Sequence, residues 1–154
     1  MMSLTHIHPM LVHFPLVLWP IGTLLLVLAV LNGRALTERT FIVQGAVWSL
    51  LIGSVVALLA AAFGDLALDV AKDLGFPEAP LEDHEETVSI AVWLFAAVTA
   101  VLGWVHFKSV AVPGWLKPAL VVVSLVGVGV AIYGAWLGGN LVYELGVNVA
   151  AVHP

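Results

Sequence analysis

Three histidines are the residues of this chain whose type and position could support chemistry. His8 and His13 stand at the start of a long apolar run, and His84 lies within a cluster of acidic residues. An imidazole at the edge of such a run must be neutral, hydrogen-bonded or bound to a metal, because an uncompensated charge is costly in an apolar environment. The three histidines are therefore candidate ligands, and the elements that would bring them together decide their role.

The composition predicts a membrane protein. Hydrophobic residues make up 62% of the 154 residues and charged residues only 10%, and the mean hydropathy is +1.10. Soluble domains average about 45–50% apolar residues. Four charge-poor runs reach the roughly 20 residues that a helix needs to cross a bilayer. We expect an all-α polytopic membrane four-helix bundle, one transmembrane domain over 1–154, with helices at about 10–32, 40–63, 86–107 and 118–138 and an outer acidic loop at 64–86.

The acidic loop contains a helical pattern of its own. Asp65, Asp69 and Asp73 recur every four residues, with apolar residues beside them, and Gly75 and Pro77 follow. This spacing places the carboxylates on one face of a helix. It predicts a short amphipathic helix at the membrane interface after helix 2.

The few basic residues predict the orientation. Arg34, Arg39, Lys108 and Lys117 lie in the two connections at one end of the bundle, whereas Lys72 alone lies at the other. Basic loops remain in the cytoplasm, so we expect an N-out/C-out topology. The outer face then receives nine of the ten acids: Asp65, Asp69, Asp73, Glu78, Glu82, Asp83, Glu85, Glu86 and Glu144. Such a face disfavours nucleic acid and either is simply solvated or attracts a basic partner or metal cations.

The same topology gathers the candidate ligands on the outer face. Helices 1 and 3 both begin there and helix 2 ends there, which brings His8, His13, His84, Asp65 and Asp69 to one side of the membrane. We expect His8 to precede helix 1 and to be exposed. His13 and His84 would then be the two ligands of a haem between helices 1 and 3, and all five residues could form a non-haem metal site.

Two further patterns concern packing. Small residues recur at nearly every fourth position of helices 2 and 4 and predict close helix contacts, within the monomer or across a homodimer. They are Gly45, Ser49, Gly53, Ala57 and Ala61, then Gly127, Ala131, Ala135 and Gly139. Near the inner face, Trp104, His106, Phe107 and Trp115 predict an interfacial aromatic belt, with His106 as one of its side chains.

Several of these segments resemble a known family. They are the stretch from His8 to Pro15 (His-Pro-Met-Leu-Val-His-Phe-Pro), Gly64-Asp65, His84, and the tail Gly-Gly-Asn-Leu-Val-Tyr-Glu-Leu-Gly-Val from Gly138. Together they are similar to the bacterial four-helix membrane family catalogued as domain of unknown function 2231. The resemblance implies a polytopic protein of the bacterial plasma (inner) membrane. With the orientation that the basic residues predict, both termini would be periplasmic or extracellular. Relatives joined to c-type cytochrome or Rieske modules imply electron transfer.

The tail departs from the family pattern at two positions. Leu145 stands where a histidine often follows the tyrosine, and Asn148 stands where a glycine is usual. The resemblance therefore places no ligand in the tail of this chain.

Three functions remain open from the sequence. The chain binds haem b through His13 and His84 for electron transfer, or binds a transition metal ion (copper, zinc or iron) at the outer face, or is a structural or assembly subunit of a membrane complex. With no cysteine and no nucleophile motif, we expect no catalytic activity of its own. The expected partners are the lipid bilayer, a periplasmic redox protein or membrane complex, and a second copy of the chain.

Overall fold

The structure is a computed structural model that describes residues 4–149. After a short 3-10 turn at Leu4–His6, the helices are α1 (Ile7–Leu11), α2 (His13–Leu31), α3 (Phe41–Asp73), α4 (Glu78–Lys108) and α5 (Leu116–Tyr143). The described part of the chain contains no strand. Because α1 and α2 follow each other almost without interruption, four segments of 25, 33, 31 and 28 residues are long and apolar enough to cross a membrane. The expected all-α four-helix membrane bundle is confirmed.

The four long helices form a closed ring. The most extensive packing joins α2 to α3 and α4 to α5, and contacts between α3 and α4 and between α2 and α5 complete the ring. Helices α3 and α5 therefore face each other diagonally. The first and the last of the described segments meet at one end of the bundle, where Thr5 Oγ1 donates a hydrogen bond of 3.3 Å to Asn148 Oδ1. We call this the terminal end, and the end with loops 32–40 and 109–115 the loop end.

The expected loop and interfacial helix at 64–86 are wrong. Helix α3 runs without a break to Asp73, and α4 begins at Glu78. Only a tight turn with Gly75 at φ +84 separates them. The physical reason is packing: Ala71 of α3 is buried against Leu81 of α4 and Leu141 of α5, so the helix continues on protein instead of lying on lipid.

Helix length places the terminal end relative to the bilayer. A crossing takes about 20 residues. If each segment enters the bilayer at the loop end, about 20 residues bring the first segment to about position 12, α3 to about 60, α4 to about 89 and α5 to about 135. Helices α3 and α4 continue beyond this level, so residues 61–88 form an antiparallel helical hairpin that extends from the membrane. This helical hairpin carries eight of the ten acidic residues.

Two glycines of the small-residue patterns lie against aromatic side chains of the same chain. A Cβ atom added at Gly53 would lie 2.9 Å from Cδ1 of Trp19, and one added at Gly127 would lie 2.8 Å from Cε2 of Phe95. The two aromatic rings stack at 4.3 Å between centroids in the middle of the bundle. These two glycines therefore serve packing within the monomer. Gly139, by contrast, has no neighbouring atom within 4 Å of the added Cβ.

A network of buried polar side chains lies in the same part of the bundle as these two rings. Trp19 Nε1 donates to Ser54 Oγ at 3.3 Å, Ser54 Oγ and Thr99 Oγ1 are 2.9 Å apart, and Thr99 Oγ1 donates to the Leu50 carbonyl at 3.3 Å. Interhelical hydrogen bonds in lipid hold helices together because a buried polar group without a partner is costly. This network joins α2, α3 and α4 and has a structural role.

Candidate functional site

His8 is clamped against α3. Its Nδ1 lies 2.7 Å from the carbonyl oxygen of Ala60, and a Cβ atom added at Gly64 would lie 3.0 Å from the same nitrogen. A carbonyl can only accept, so Nδ1 carries the hydrogen and a neutral ring keeps its lone pair on Nε2. The ring thus rests on a pair of small residues one helical turn apart, which bring the backbone of α3 within reach.

His84 is clamped against α5 in the same way. Its Nδ1 lies 3.0 Å from the carbonyl oxygen of Gly134. A Cβ atom added at Gly138 would lie 2.9 Å from Cε1 of the ring, closer than unbonded carbon atoms pack. Glycine is therefore required at this position for the ring to lie where it does. Here too Nδ1 must be the donor, and Nε2 holds the lone pair of the neutral ring.

The two imidazoles face each other across the terminal end. Their centroids are 6.4 Å apart and their planes are nearly perpendicular, at 88°. The two nitrogens of each ring flank Cε1, and His84 Nε2 would lie 3.6 Å from a Cβ atom added at Gly138 on α5. The pair lies between α3 and α5, the diagonal partners, and each ring is hydrogen-bonded to one of these helices.

Both Nε2 atoms remain without a protein partner. Within residues 4–149 the only hydrogen bond of either ring is the one at Nδ1. The buried side-chain atoms without a partner in that range are the hydroxyls of Thr23 and Thr40, and neither Nε2 is among them. Both Nε2 atoms therefore lie where a bound group or water can reach them.

This arrangement is the one that metal-binding histidines adopt. Such histidines donate one ring N–H to a backbone carbonyl or carboxylate, which fixes the tautomer and presents the other nitrogen to the metal. With metal–nitrogen bonds of about 2 Å, two imidazoles on opposite sides of one ion have ring centres about 6 Å apart. The separation of His8 and His84 fits that geometry.

The structure brings His8, and not His13, beside His84. The expectation that His8 precedes the helix and is exposed is wrong: it lies inside α1 and is half-buried. The five residues between His8 and His13 turn a helix by about 140°. The two rings must then face different directions. The His13 side chain is exposed and makes no hydrogen bond or ring contact with any residue in 4–149.

The carboxylates of the expected metal site lie apart from the histidine pair. Asp65 and Asp69 are exposed on the outer side of α3 and form no ion pair with the described residues. No three side chains of His, Cys, Asp or Glu within 4–149 come together as metal ligands. At this place the described chain therefore offers two imidazoles, and the remaining ligands of any bound metal come from elsewhere.

His106 differs from its expected place in an interfacial belt. It is only 1% exposed, and its Nδ1 lies 2.8 Å from the carbonyl oxygen of Leu36 in the loop after α2. Trp104, Phe107 and Trp115 are exposed as a belt requires. The Nδ1–H group donates to a loop carbonyl that would otherwise be buried without a hydrogen-bond partner. This explains why the imidazole lies in the interior of the bundle.

The sequence did not indicate the four small residues that hold the rings, Ala60, Gly64, Gly134 and Gly138. Gly64 and Gly138 belonged to the segments that carry the family resemblance, yet no pattern in one sequence links a glycine to a histidine on another helix. The structure supplies that link, because each of these glycines lies under one imidazole. Four separate segments of the resemblance thus meet at the terminal end.

Comparisons with known proteins agree with the architecture. No curated protein and no solved structure matches the chain. One family does, described as predicted membrane protein (DUF2231), and its match extends over residues 5–151. That range includes both imidazoles, the residues under them and all the membrane-length helices. The chain belongs to this family of predicted membrane proteins, DUF2231.

Proposed function

We propose that the chain is an electron-transfer protein of the membrane in which His8 and His84 would together hold the iron of one haem b. The observation that carries the proposal is the pair itself: two imidazoles with centroids 6.4 Å apart, each fixed through Nδ1 and each without a protein partner at Nε2. Haem iron takes four nitrogens from its porphyrin and needs two more ligands. A pair without a third protein ligand fits that requirement.

The fixed tautomers add chemical support. A carbonyl that accepts the Nδ1 hydrogen makes the imidazole a stronger donor at Nε2 and restricts rotation of the ring. Both rings are held in this way by separate helices, so the ligands are already oriented before a cofactor binds. Bound haem would supply a one-electron redox centre, and the chain would hold it near the membrane surface.

The proposal includes a side of the membrane. The loop end holds Arg34, Arg39, Lys108 and Lys117, and Lys117 Nζ donates to the Arg34 carbonyl at 2.8 Å. The positive-inside rule then assigns the loop end to the cytoplasm and the histidine pair to the periplasmic or exterior side. A reporter that is active only in the cytoplasm, fused after Pro154, should be silent, whereas the same reporter inserted in loop 109–115 should be active. The reverse pattern would overturn the orientation.

A bound metal ion without porphyrin is the second candidate. Its support is again the two free Nε2 atoms, which suit copper or zinc as well as iron. Since the described residues offer no third ligand here, water or another small ligand would complete the coordination. A purely structural role for the two histidines is the third outcome that an experiment must separate.

The absorption spectrum of the full-length protein separates the three candidates. The chain is purified in detergent from cells supplied with haem precursor, and spectra are taken oxidised and reduced. We expect a Soret band and a sharper visible band upon reduction. Metal without these bands would support the ion, and neither signal would support the structural role.

A matched set of variants then assigns the ligands. His8→Ala should remove the haem, and His13→Ala should retain it, although both change a histidine on the same helical segment. Size-exclusion chromatography shows whether each variant is folded. A folded His8→Ala protein with the full haem content would exclude His8 as a ligand.

A further inference from the structure

A second group of metal-binding side chains lies on the opposite face of the first membrane segment. His6 and Val12 both have right-handed helical backbone angles, φ −78 and ψ −14 for His6 and φ −60 and ψ −23 for Val12. The chain from His6 into α2 is therefore one nearly continuous helix. Residue types along this helix can be assigned to faces by their spacing.

His6, Met10 and His13 share one face. At about 100° per residue, Met10 lies about 40° to one side of His6 and His13 about 20° to the other. His8 lies about 200° from His6, on the side that faces the bundle. Neighbours three and four residues apart have Cβ atoms about 5–6 Å from each other. Met10 is thus a neighbour of both histidines.

All three side chains are exposed and unengaged. Met10 is 58% exposed, and His6 and His13 are also exposed. Neither imidazole has a hydrogen bond, ion pair or ring contact with the residues in 4–149. His13 lies at about the level where the hydrocarbon core begins, and an imidazole without a partner is unfavourable there. A ligand that engages it would relieve this cost.

The chemistry of the set selects the metal. A thioether is a soft ligand that favours copper(I), and imidazole binds copper in both oxidation states. The helical hairpin at the same end carries eight acidic residues, which raise the local concentration of cations. The carboxylates themselves are hard ligands and compete poorly for copper(I).

We propose that His6, Met10 and His13 form a copper(I) site on the outward face of the α1–α2 segment. The ion lies over Met10, bound by its sulfur and by imidazole nitrogens from one turn before and one turn after. This site is separate from the His8–His84 pair and does not depend on the function proposed for that pair.

The test measures copper(I) affinity by competition with a chromophoric chelator, using the full-length protein in lipid nanodiscs. Met10→Leu conserves volume and should leave the fold intact. We expect Met10→Leu and His13→Gln each to weaken copper(I) affinity by about tenfold or more. Even residues that only hydrogen-bond to metal ligands change metal affinity by about 10- to 100-fold when they are replaced. Met2→Leu makes the same chemical change at a methionine that the proposal does not include, and it should leave affinity unchanged.

Three outcomes would overturn the proposal. The first is that the wild-type protein does not compete with the chelator. The second is that Met10→Leu and His13→Gln bind copper(I) as tightly as the wild type. The third is that only His8→Ala and His84→Ala lose copper, which would assign the ion to the other pair. Loss of copper affinity in Met10→Leu and His13→Gln, with wild-type affinity in His8→Ala and His84→Ala, supports a copper site separate from that pair.

Discussion

The two ends of the bundle use histidine in different ways. At the terminal end, His8 and His84 are half-buried and lie 6.4 Å apart. At the loop end, His106 is alone and 1% exposed. In all three the Nδ1 atom lies 2.7–3.0 Å from a backbone carbonyl of another segment. The hydrogen bond alone therefore does not identify a ligand.

What distinguishes the terminal end is that two imidazoles lie beside each other. Among the described residues His106 has no second imidazole next to it; it packs edge-on against Phe107 at 5.3 Å between centroids and ties the loop at Leu36 to the bundle. A buried imidazole with a satisfied donor contributes to stability. The pair at the terminal end is the one to which we assign haem binding in the proposed function.

The largest predicted difference between the two ends is the effect of a histidine-to-alanine substitution on haem content and stability. His84→Ala should abolish haem binding and leave a folded protein, because the ring is only half-buried. His106→Ala should keep the haem and lower stability by about 1–3 kcal/mol, the cost of a buried carbonyl without a partner. Haem per folded protein and thermal unfolding in detergent measure the two effects.

The comparison fails if these two variants behave alike. Haem lost from both, with both folded, would show that His106 influences the site through the bundle. Haem retained in both would remove His84 from the site.

The packing between the two ends gives the next effect. Gly53→Leu must displace Trp19, which lies 2.9 Å from the position of an added Cβ, and overpacking of this kind costs about 1–3 kcal/mol or more. Val55→Leu, at a residue 52% exposed on the same helix, should change little. Equal unfolding temperatures for the two variants would contradict the close contact of α2 and α3.

A smaller effect should follow from one methyl group under His84. Gly138→Ala places a Cβ 2.9 Å from the ring, so the ring must shift, and we expect haem affinity to fall by about tenfold, within the 1–3 kcal/mol range of overpacking. Gly139→Ala is the control, because nothing lies within 4 Å of its added Cβ. Haem titration of the two apoproteins measures the difference, and equal affinities would show that Gly138 does not position the ring.

Much of the fold could be predicted from hydropathy alone. Four apolar runs of sufficient length give four helices, since backbone groups in lipid must be satisfied within each segment. The helical hairpin 61–88 could not be predicted in this way, because its acidic sequence is typical of a solvated loop. Buried contacts of Ala71 and Leu81 with α5 keep it helical, and such contacts between distant segments leave no periodic signal strong enough to recognise.

The site was predictable to the level of residue type and membrane face. Topology alone placed His84 with the histidines of the first segment. The choice between His8 and His13 depended on where the helix begins, and a start at Ile7 instead of Met10 turns His8 towards the bundle. The role of Gly64 and Gly138 required coordinates, because it rests on contacts with rings of other helices.

The central claim is that His8 and His84 together ligate one iron, and electron paramagnetic resonance of the oxidised, haem-loaded protein tests it most directly. If both rings held the iron with their planes at 88°, two iron d orbitals would be nearly equal in energy. We therefore predict a low-spin ferric signal of the strongly anisotropic type, and no such signal in His8→Ala, because that variant loses the haem. A low-spin signal of ordinary rhombic shape that persists unchanged in His8→Ala would contradict ligation by this pair.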